Sequence, residues 1–308
     1  MQTLRFASAN VAARHPLELS GAATWRRSEG AWSCTITLGD LPNDHIVVPS
    51  FASKGAPHSD FAAELVAADT AWRIAPTQRS ALETTGSDPR ATTHIDYFHC
   101  RADLAAASLT LAVAAACEPA DYLVSVSVRQ FRITAAPGAS ITRRLVVPPI
   151  SQLTAPRALR YRICSPTCIA MVLAFHGIDA PLAAVVRECL HEPSGLFGVW
   201  PLAIRTATDA GLIGSVECFS TLDAAAPVLA RGLPIVASIR FAAGALPGAA
   251  LSATDGHLVV VTGMDADWVY INDPAARDAS GVPRQCPRDA FAAAWLTERG
   301  AAYILRPL

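Results

Sequence analysis

Three residues able to do chemistry together are Cys164, His257 and Asp273, in the local contexts CSPTC, DGHLVVVTG and YINDPA. A thiol attacks only as its thiolate, and at an ordinary pKa near 8.5 about 3% is ionised at pH 7. A neighbouring imidazolium supplies the missing stabilisation, and a carboxylate supports the imidazolium. Nucleophile, base and orienting group need to meet in space rather than in sequence. Each residue also has a plain use, as core thiol, turn histidine or Asp-Pro turn, but the three contexts together favour the catalytic one. In that set Cys164 attacks, His257 serves as base and then acid, and Asp273 orients the imidazole through its Nδ1–H. Asn272 is a rival orienter, but strand alternation puts it on the opposite face from Asp273, which is preferred. Gln152 could donate its amide to an oxyanion beside the Cys164 N–H, although spacing alone does not single it out.

These residues need elements to hold them. Residues 160–177 read RYRICSPTCIAMVLAFHG. Pro166 suits a first helical turn, and Gly177 supplies the left-handed residue that ends a helix. The residues between leave no polar face, so a buried helix is expected with Cys164 at its positive end. His257 opens the apolar run 258–261, which reads as a buried strand; 268–272 is a second strand, stopped by Asp273-Pro274. Further helices are expected around 181–190, 200–210, 221–231 and 291–295, with strands at 233–241 and 303–305. That mixture is an α+β arrangement.

Before residue 147 the pattern is different. Residues 32–38, 108–117 and 124–128 alternate apolar and polar side chains, with Ser125, Ser127 and Arg129 on the wet face. Such strands suggest an antiparallel β-sandwich. Residues 61–68 read as a short helix or loop crossing, and 84–93 as a surface loop. In THIDYFHC, strand alternation sends His94 and His99 to opposite faces, which argues against a metal site with Cys100. Residues 135–160, rich in proline, form the joint. The expected division is 1–147, an all-β accessory domain, and 148–308, the catalytic domain.

The 308 residues suffice for two cores; hydrophobic content is 52%, charged content 17%, and the net charge is −1. No basic field is available for nucleic acid or an anionic membrane. One lysine stands against 24 arginines among the 25 basic residues, a coding bias rather than a function. The first residues hold no apolar core of signal-peptide length and no stretch is long enough to span a bilayer, so a soluble, cytoplasmic protein is expected. The eight cysteines show no CxxC pair or regular spacing and read as reduced thiols. Cys168, on the same helical face as Cys164, reads as a buried small residue rather than a resolving thiol. His176 suits the helix C-terminus, and Trp200 reads as packing more than as cleft lining. No phosphate loop, HExxH or GxSxG is present, and no cofactor or metal is implied.

At CSPTCIAMVL, GHLVVVTG and YINDPA the chain resembles bacterial proteins related to peptidase family thirty-nine, the papain-like bacteriocin-processing cysteine peptidases. GVWP at 198–201 and GLPIVASI at 232–239 extend the likeness over about half the chain. The resemblance implies a papain-like cysteine peptidase fold for 148–308, with Cys164 as nucleophile, His257 as base, Asp273 as third member and Gln152 as the oxyanion glutamine. Ile163 stands where the family pattern has tryptophan, and Cys168 where it has serine. The bacteriocin-processing members are fused to a transporter and its ATPase; this chain carries neither, so leader processing does not follow from the motif.

The expected function is a cysteine peptidase or amide hydrolase acting on a peptide or protein through a thioester acyl-enzyme. Two alternatives stand beside it: acyl transfer to an amine, as in transglutaminase-like relatives of the same triad order, and a silent peptide-binding module. Occupation of the cleft by loop 191–199 would favour the silent reading.

Overall fold

The computed structural model describes residues 2–13, 15, 17–28, 30–56, 58–77 and 88–308. Its first part is built from β1 (Gln2–Ala7), α1 (Ala9–Ala12), β2 (Arg26–Ser28), β3 (Ala31–Leu41), β4 (His45–Ser53), β5 (Phe61–Ala67), β6 (Thr70–Ile74), β7 (Ala91–Thr93), β8 (Phe98–Cys100), β9 (Leu104–Val113) and β10 (Tyr122–Gln130). These strands make two antiparallel sheets, ordered β1-β10-β4-β8-β7 and β2-β3-β9-β5-β6. Alternation explains them: Cys34 and Ile36 of β3, with Leu109, Leu111 and Val113 of β9, point into one apolar cluster. That cluster also holds Val47 and Phe51 of β4 and Val124 and Val126 of β10.

Residues 61–67 are a strand, not the expected helix or crossing. Phe61, Ala63, Leu65 and Ala67 line the core while Glu64 points out, and β5 pairs with both β9 and β6. Of the expected loop 84–93, residues 84–87 lie outside the described residues and 91–93 form β7. THIDYFHC is likewise not one strand. It is the turn of the β7–β8 hairpin, closed by the His94 N–H donating to the Tyr97 carbonyl at 2.8 Å. The alternation argument therefore does not apply there. His94 stacks on Tyr97 at 4.1 Å between ring centroids, and the His99 Nε2 meets Asp44 Oδ1 at 2.9 Å.

The second part contains α2 (Cys164–Phe175), α3 (Leu182–Glu188), α4 (Trp200–Asp209), β11 (Leu212–Cys218), α5 (Leu222–Ala230), β12 (Ile235–Phe241), β13 (Thr254–Met264), β14 (Trp268–Asn272), β15 (Pro283–Pro287), α6 (Arg288–Leu296) and β16 (Ala301–Pro307). Its antiparallel sheet runs β11-β16-β12-β13-β14-β15. Helix α2, apolar all round, packs on β13, and Gly177 ends it with φ +74°. Gly263 lets the joint pass over β13. A Cβ there would sit 2.8 Å from the Arg144 Cα, and the Leu145 N–H donates to the Thr262 carbonyl at 2.8 Å. Among the described residues no helix is long and apolar enough to cross a membrane.

The expected wet face of β10 is buried. Ser125 and Ser127 are fully buried, and Arg129 is 1% exposed. Their face meets β11, the edge strand of the second sheet. Ser50 Oγ accepts from the Val216 N–H (3.0 Å), Ser125 Oγ donates to the Val216 carbonyl (3.2 Å), and Ser127 Oγ accepts from the Cys218 N–H (3.0 Å). An edge strand otherwise leaves such groups open. Arg5 adds a two-bond contact to the buried Glu217, 2.9 and 2.7 Å. Arg129 reaches past this seam and donates to the carbonyls of Gln130, Phe219 and Leu296.

Candidate active site

Cys164 is the first residue of α2 and is partly exposed, whereas Ser165 to Leu173 are buried. His257 lies on β13 and is 3% exposed; Asp273 follows β14 and is fully buried. The His257 Nε2 and Asp273 Oδ1 stand 2.8 Å apart. This corrects the expected Nδ1 contact. The β13–β14 register pairs Val260 with Asn272, which leaves His257 and Asp273 as diagonal rather than direct partners. Diagonal neighbours stand about 7–8 Å apart, their Cβ atoms somewhat closer, and it is the distal Nε2 that reaches Asp273. Nδ1 is thereby left for Cys164, whose thiolate the neighbouring imidazole stabilises. Asp273 also accepts the N–H groups of Ala250 (2.8 Å) and Ala275 (3.0 Å). Asn272 faces away, donating to the Val147 carbonyl at 3.0 Å, and so ties down the joint.

The electrostatics follow from these contacts. Burial works against a Cys164 thiolate, but the hydrogen bond and charge of His257 and the N–H groups of Leu258 and Ser165 outweigh it. The thiol is held below its ordinary value. Burial likewise opposes an imidazolium at His257, yet Asp273 and Cys164 carry it up to about 10. For Asp273, burial is again outweighed by His257 and the two backbone N–H groups, which hold the carboxyl below the usual range. The arrangement favours a thiolate–imidazolium pair.

The pH dependence follows with its sign. The Cys164 contribution to stability is present above the unfolded thiol value and lost as pH falls through its depressed folded value. The His257 contribution is fully present below about 6.5, its unfolded value, and lost as pH rises through about 10. Alkylation of Cys164 by iodoacetamide is therefore expected to rise less steeply between about pH 7 and 9 than that of a free thiol, which climbs about tenfold per unit up to its pKa near 8.5. A pH–rate profile that climbs like that of a free thiol contradicts the ion pair.

Gln152 is buried in a short 3-10 turn, its N–H donating to the Pro274 carbonyl at 2.9 Å. Its side-chain Nε2 donates to the Arg160 carbonyl at 2.7 Å, while Oε1 has no partner. Among the described residues it makes no hydrogen bond to Cys164 or His257. Cys168 is buried and donates its S–H to the Leu258 carbonyl at 3.3 Å, and burial, first of all, pushes its thiol well up. Burial pushes the pKa of His176, at the end of α2, down from its ordinary value.

A cavity of about 360 Å3 opens at Cys164. Leu196, Phe197 and Gly198 form one wall, so loop 191–199 borders the opening and does not fill it. Trp200 lines it as well as packing. Asp96 also lines it, from the first part of the chain; no local signal marked that residue, because its segment read as a strand.

A family model described as Peptidase_C39 like family matches residues 144–303, just over half of the chain. The chain belongs to that family. Two crystal structures resemble this C39-like chain. One is a double glycine motif protease from an AMS/PCAT transporter in complex with the leader peptide, at 24% identity, covering 55% of this chain and 97% of that one, with a TM-score of 0.39. The other is described as a C39-like peptidase from Bacillus anthracis, at 19% identity, covering 53% and 97%, with a TM-score of 0.41. Comparison with the curated proteins finds no match. The family match takes in every candidate residue of the C39-like site, Gln152 included, and leaves Asp96 outside.

Proposed function

We propose that the protein is a cysteine peptidase or amide hydrolase with a papain-like catalytic domain over 148–308 and an accessory β-sandwich over 1–147. The observation that carries this reading is the buried His257–Asp273 contact at 2.8 Å, set beside a thiol at a helix N-terminus. Cys164 attacks the carbonyl as a thiolate, and His257 then gives its proton to the leaving amine. Water, activated by the same imidazole, resolves the thioester. Asp273 holds the ring and its charge throughout. The Cys164 N–H, at the first position of α2 and without a backbone acceptor among the described residues, is available to an oxyanion. Gln152 joins it if its second amide N–H, the one not given to Arg160, turns toward the substrate. Hydrolysis is preferred to a silent module because the wall at 196–198 leaves the cavity open.

The test is native labelling with iodoacetamide at pH 6, read by peptide mass spectrometry. An ordinary thiol is about 0.3% ionised there. A depressed pKa raises the thiolate fraction while lowering nucleophilicity. The net expectation is about tenfold or more faster labelling at Cys164 than at the exposed Cys117, lost in His257→Ala. Equal labelling of the two sites in the native protein sinks the reading.

A further inference from the structure

We propose that Asp96, carried to the Cys164 cavity by the β7–β8 turn, is a specificity-determining carboxylate that selects substrates bearing a cationic nitrogen, ammonium or guanidinium. The proposal rests on Cys164 being the nucleophile, and it adds the chemical class of the group recognised next to it.

The charges around the cavity are layered. Arg162, Arg240 and Asp255 are exposed at the rim, whereas Asp96 and Arg299 are half-buried and Trp200 is buried. Each arginine is already engaged. Arg162 donates to the Gly195 carbonyl and lies over Phe197, and Arg240 donates to Glu298 at 3.0 Å and to the Asp255 carbonyl at 2.8 Å. Arg299 lies over the Trp200 ring at 5.4 Å. Asp96 has only one protein contact outside its own residue among the described hydrogen bonds, its Oδ2 accepting the Trp200 N–H at 3.2 Å. No cation within ion-pair distance meets it among the described residues.

The turn that presents Asp96 is rigidly built. Tyr97 is sandwiched between His94 at 4.1 Å and Trp200 at 5.9 Å, all three rings nearly parallel. Residues 94–97 are thus fastened to the start of α4, and the carboxylate faces the cavity from a fixed place. Burial raises Asp96 to about 6 and Arg299 only partly offsets it, as expected of a carboxylate lacking its full counter-charge. A substrate cation completes the pair in a half-buried setting, where it discriminates more strongly than it does in open water.

The experiment uses the full chain and thiol reagents of opposite charge. The probes are 2-aminoethyl methanethiosulfonate, a cation, and 2-sulfonatoethyl methanethiosulfonate, an anion. In both the Cys164 thiolate displaces methanesulfinate and forms a mixed disulfide, so the ratio of rates at Cys164 cancels any change in thiolate content. Asp96→Asn keeps an oxygen for the Trp200 N–H. It is expected to lower the cation-to-anion ratio by about five- to tenfold, with the neutral iodoacetamide rate reporting any change in thiolate content. Asp255→Asn, at the wet rim, is expected to lower it by less than twofold. An unchanged ratio in Asp96→Asn, or equal falls in both variants, overturns the proposal. A low iodoacetamide rate in the wild type instead overturns the nucleophile assignment.

Lysyl and norleucyl chloromethyl ketones, with free or acetylated amino groups, then locate the cation. Preference for lysine assigns it to a side chain, and preference for the free amine assigns it to the substrate's amino terminus. Either preference should vanish in Asp96→Asn. Absence of both in the wild type counts against the proposal.

Discussion

Cys164→Ala is expected to abolish amide hydrolysis, a loss on the order of 10⁴- to 10⁶-fold, without unfolding the chain. The side chain is partly exposed and small, so its truncation leaves little void. No other thiol can replace it. Cys168 is buried, gives its proton to the Leu258 carbonyl, and has its thiol pushed well up by burial. Asp273→Asn should cost about 10²–10⁴-fold, because the uncharged amide loses the stabilisation of the imidazolium and can turn its NH2 as well as its oxygen to the ring. That variant also loses stability, since Asp273 is a buried acceptor for three donors. Release of a fluorescent amine from a peptide-amide library, alongside a melting curve for each variant, measures both effects. Turnover by Cys164→Ala within tenfold of the wild type would show that the nucleophile lies elsewhere. Product that forms only with an added primary amine would instead favour acyl transfer.

Arg129→Met is expected to destabilise the protein by about 3 kcal/mol or more. The guanidinium is 1% exposed and donates to the carbonyls of Gln130, Phe219 and Leu296. Methionine fills most of the volume but leaves acceptors buried without donors, each costing about 1–3 kcal/mol. Gly300 shows how tight the site is: a Cβ there would lie 2.3 Å from the Arg129 Nη1 and 2.0 Å from the Phe219 carbonyl oxygen. Urea unfolding of wild type and variant gives the difference. A midpoint shift equivalent to less than 1 kcal/mol would mean that water replaces the guanidinium.

Helix α2 was legible because its signals are local: Pro166 in the first turn, an apolar run, then Gly177. Alternation alone placed Asp273 and Asn272 on opposite faces, and the two side chains do diverge. The nitrogen that faces Asp273 was not legible, because it depends on the diagonal offset between β13 and β14. Asp96 was hidden by a different limit. In THIDYFHC the chain turns without glycine or proline, so periodicity had nothing to mark the reversal. Ser125, Ser127 and Arg129 look like a solvated face because their partners, β11 for the serines and the Phe219 and Leu296 carbonyls for the arginine, lie ninety residues or more further on. A polar side chain reads as wet unless its buried partner is known. Residues 61–67 misled for a simpler reason: three of the seven are alanine, which carries little strand preference.

The hydroxyls of Ser50, Ser125 and Ser127 also act as a stencil. They stand in for the neighbouring strand that β11 lacks, and they match alternate backbone groups at Val216 and Cys218. Sliding β11 by one residue would turn those groups to the other side and leave the serines facing nothing. The stencil therefore indexes one half of the chain to the other, as a key indexes a shaft. Cutting the chain in the joint would uncover a bare strand border that a second molecule could extend, with self-association as the outcome.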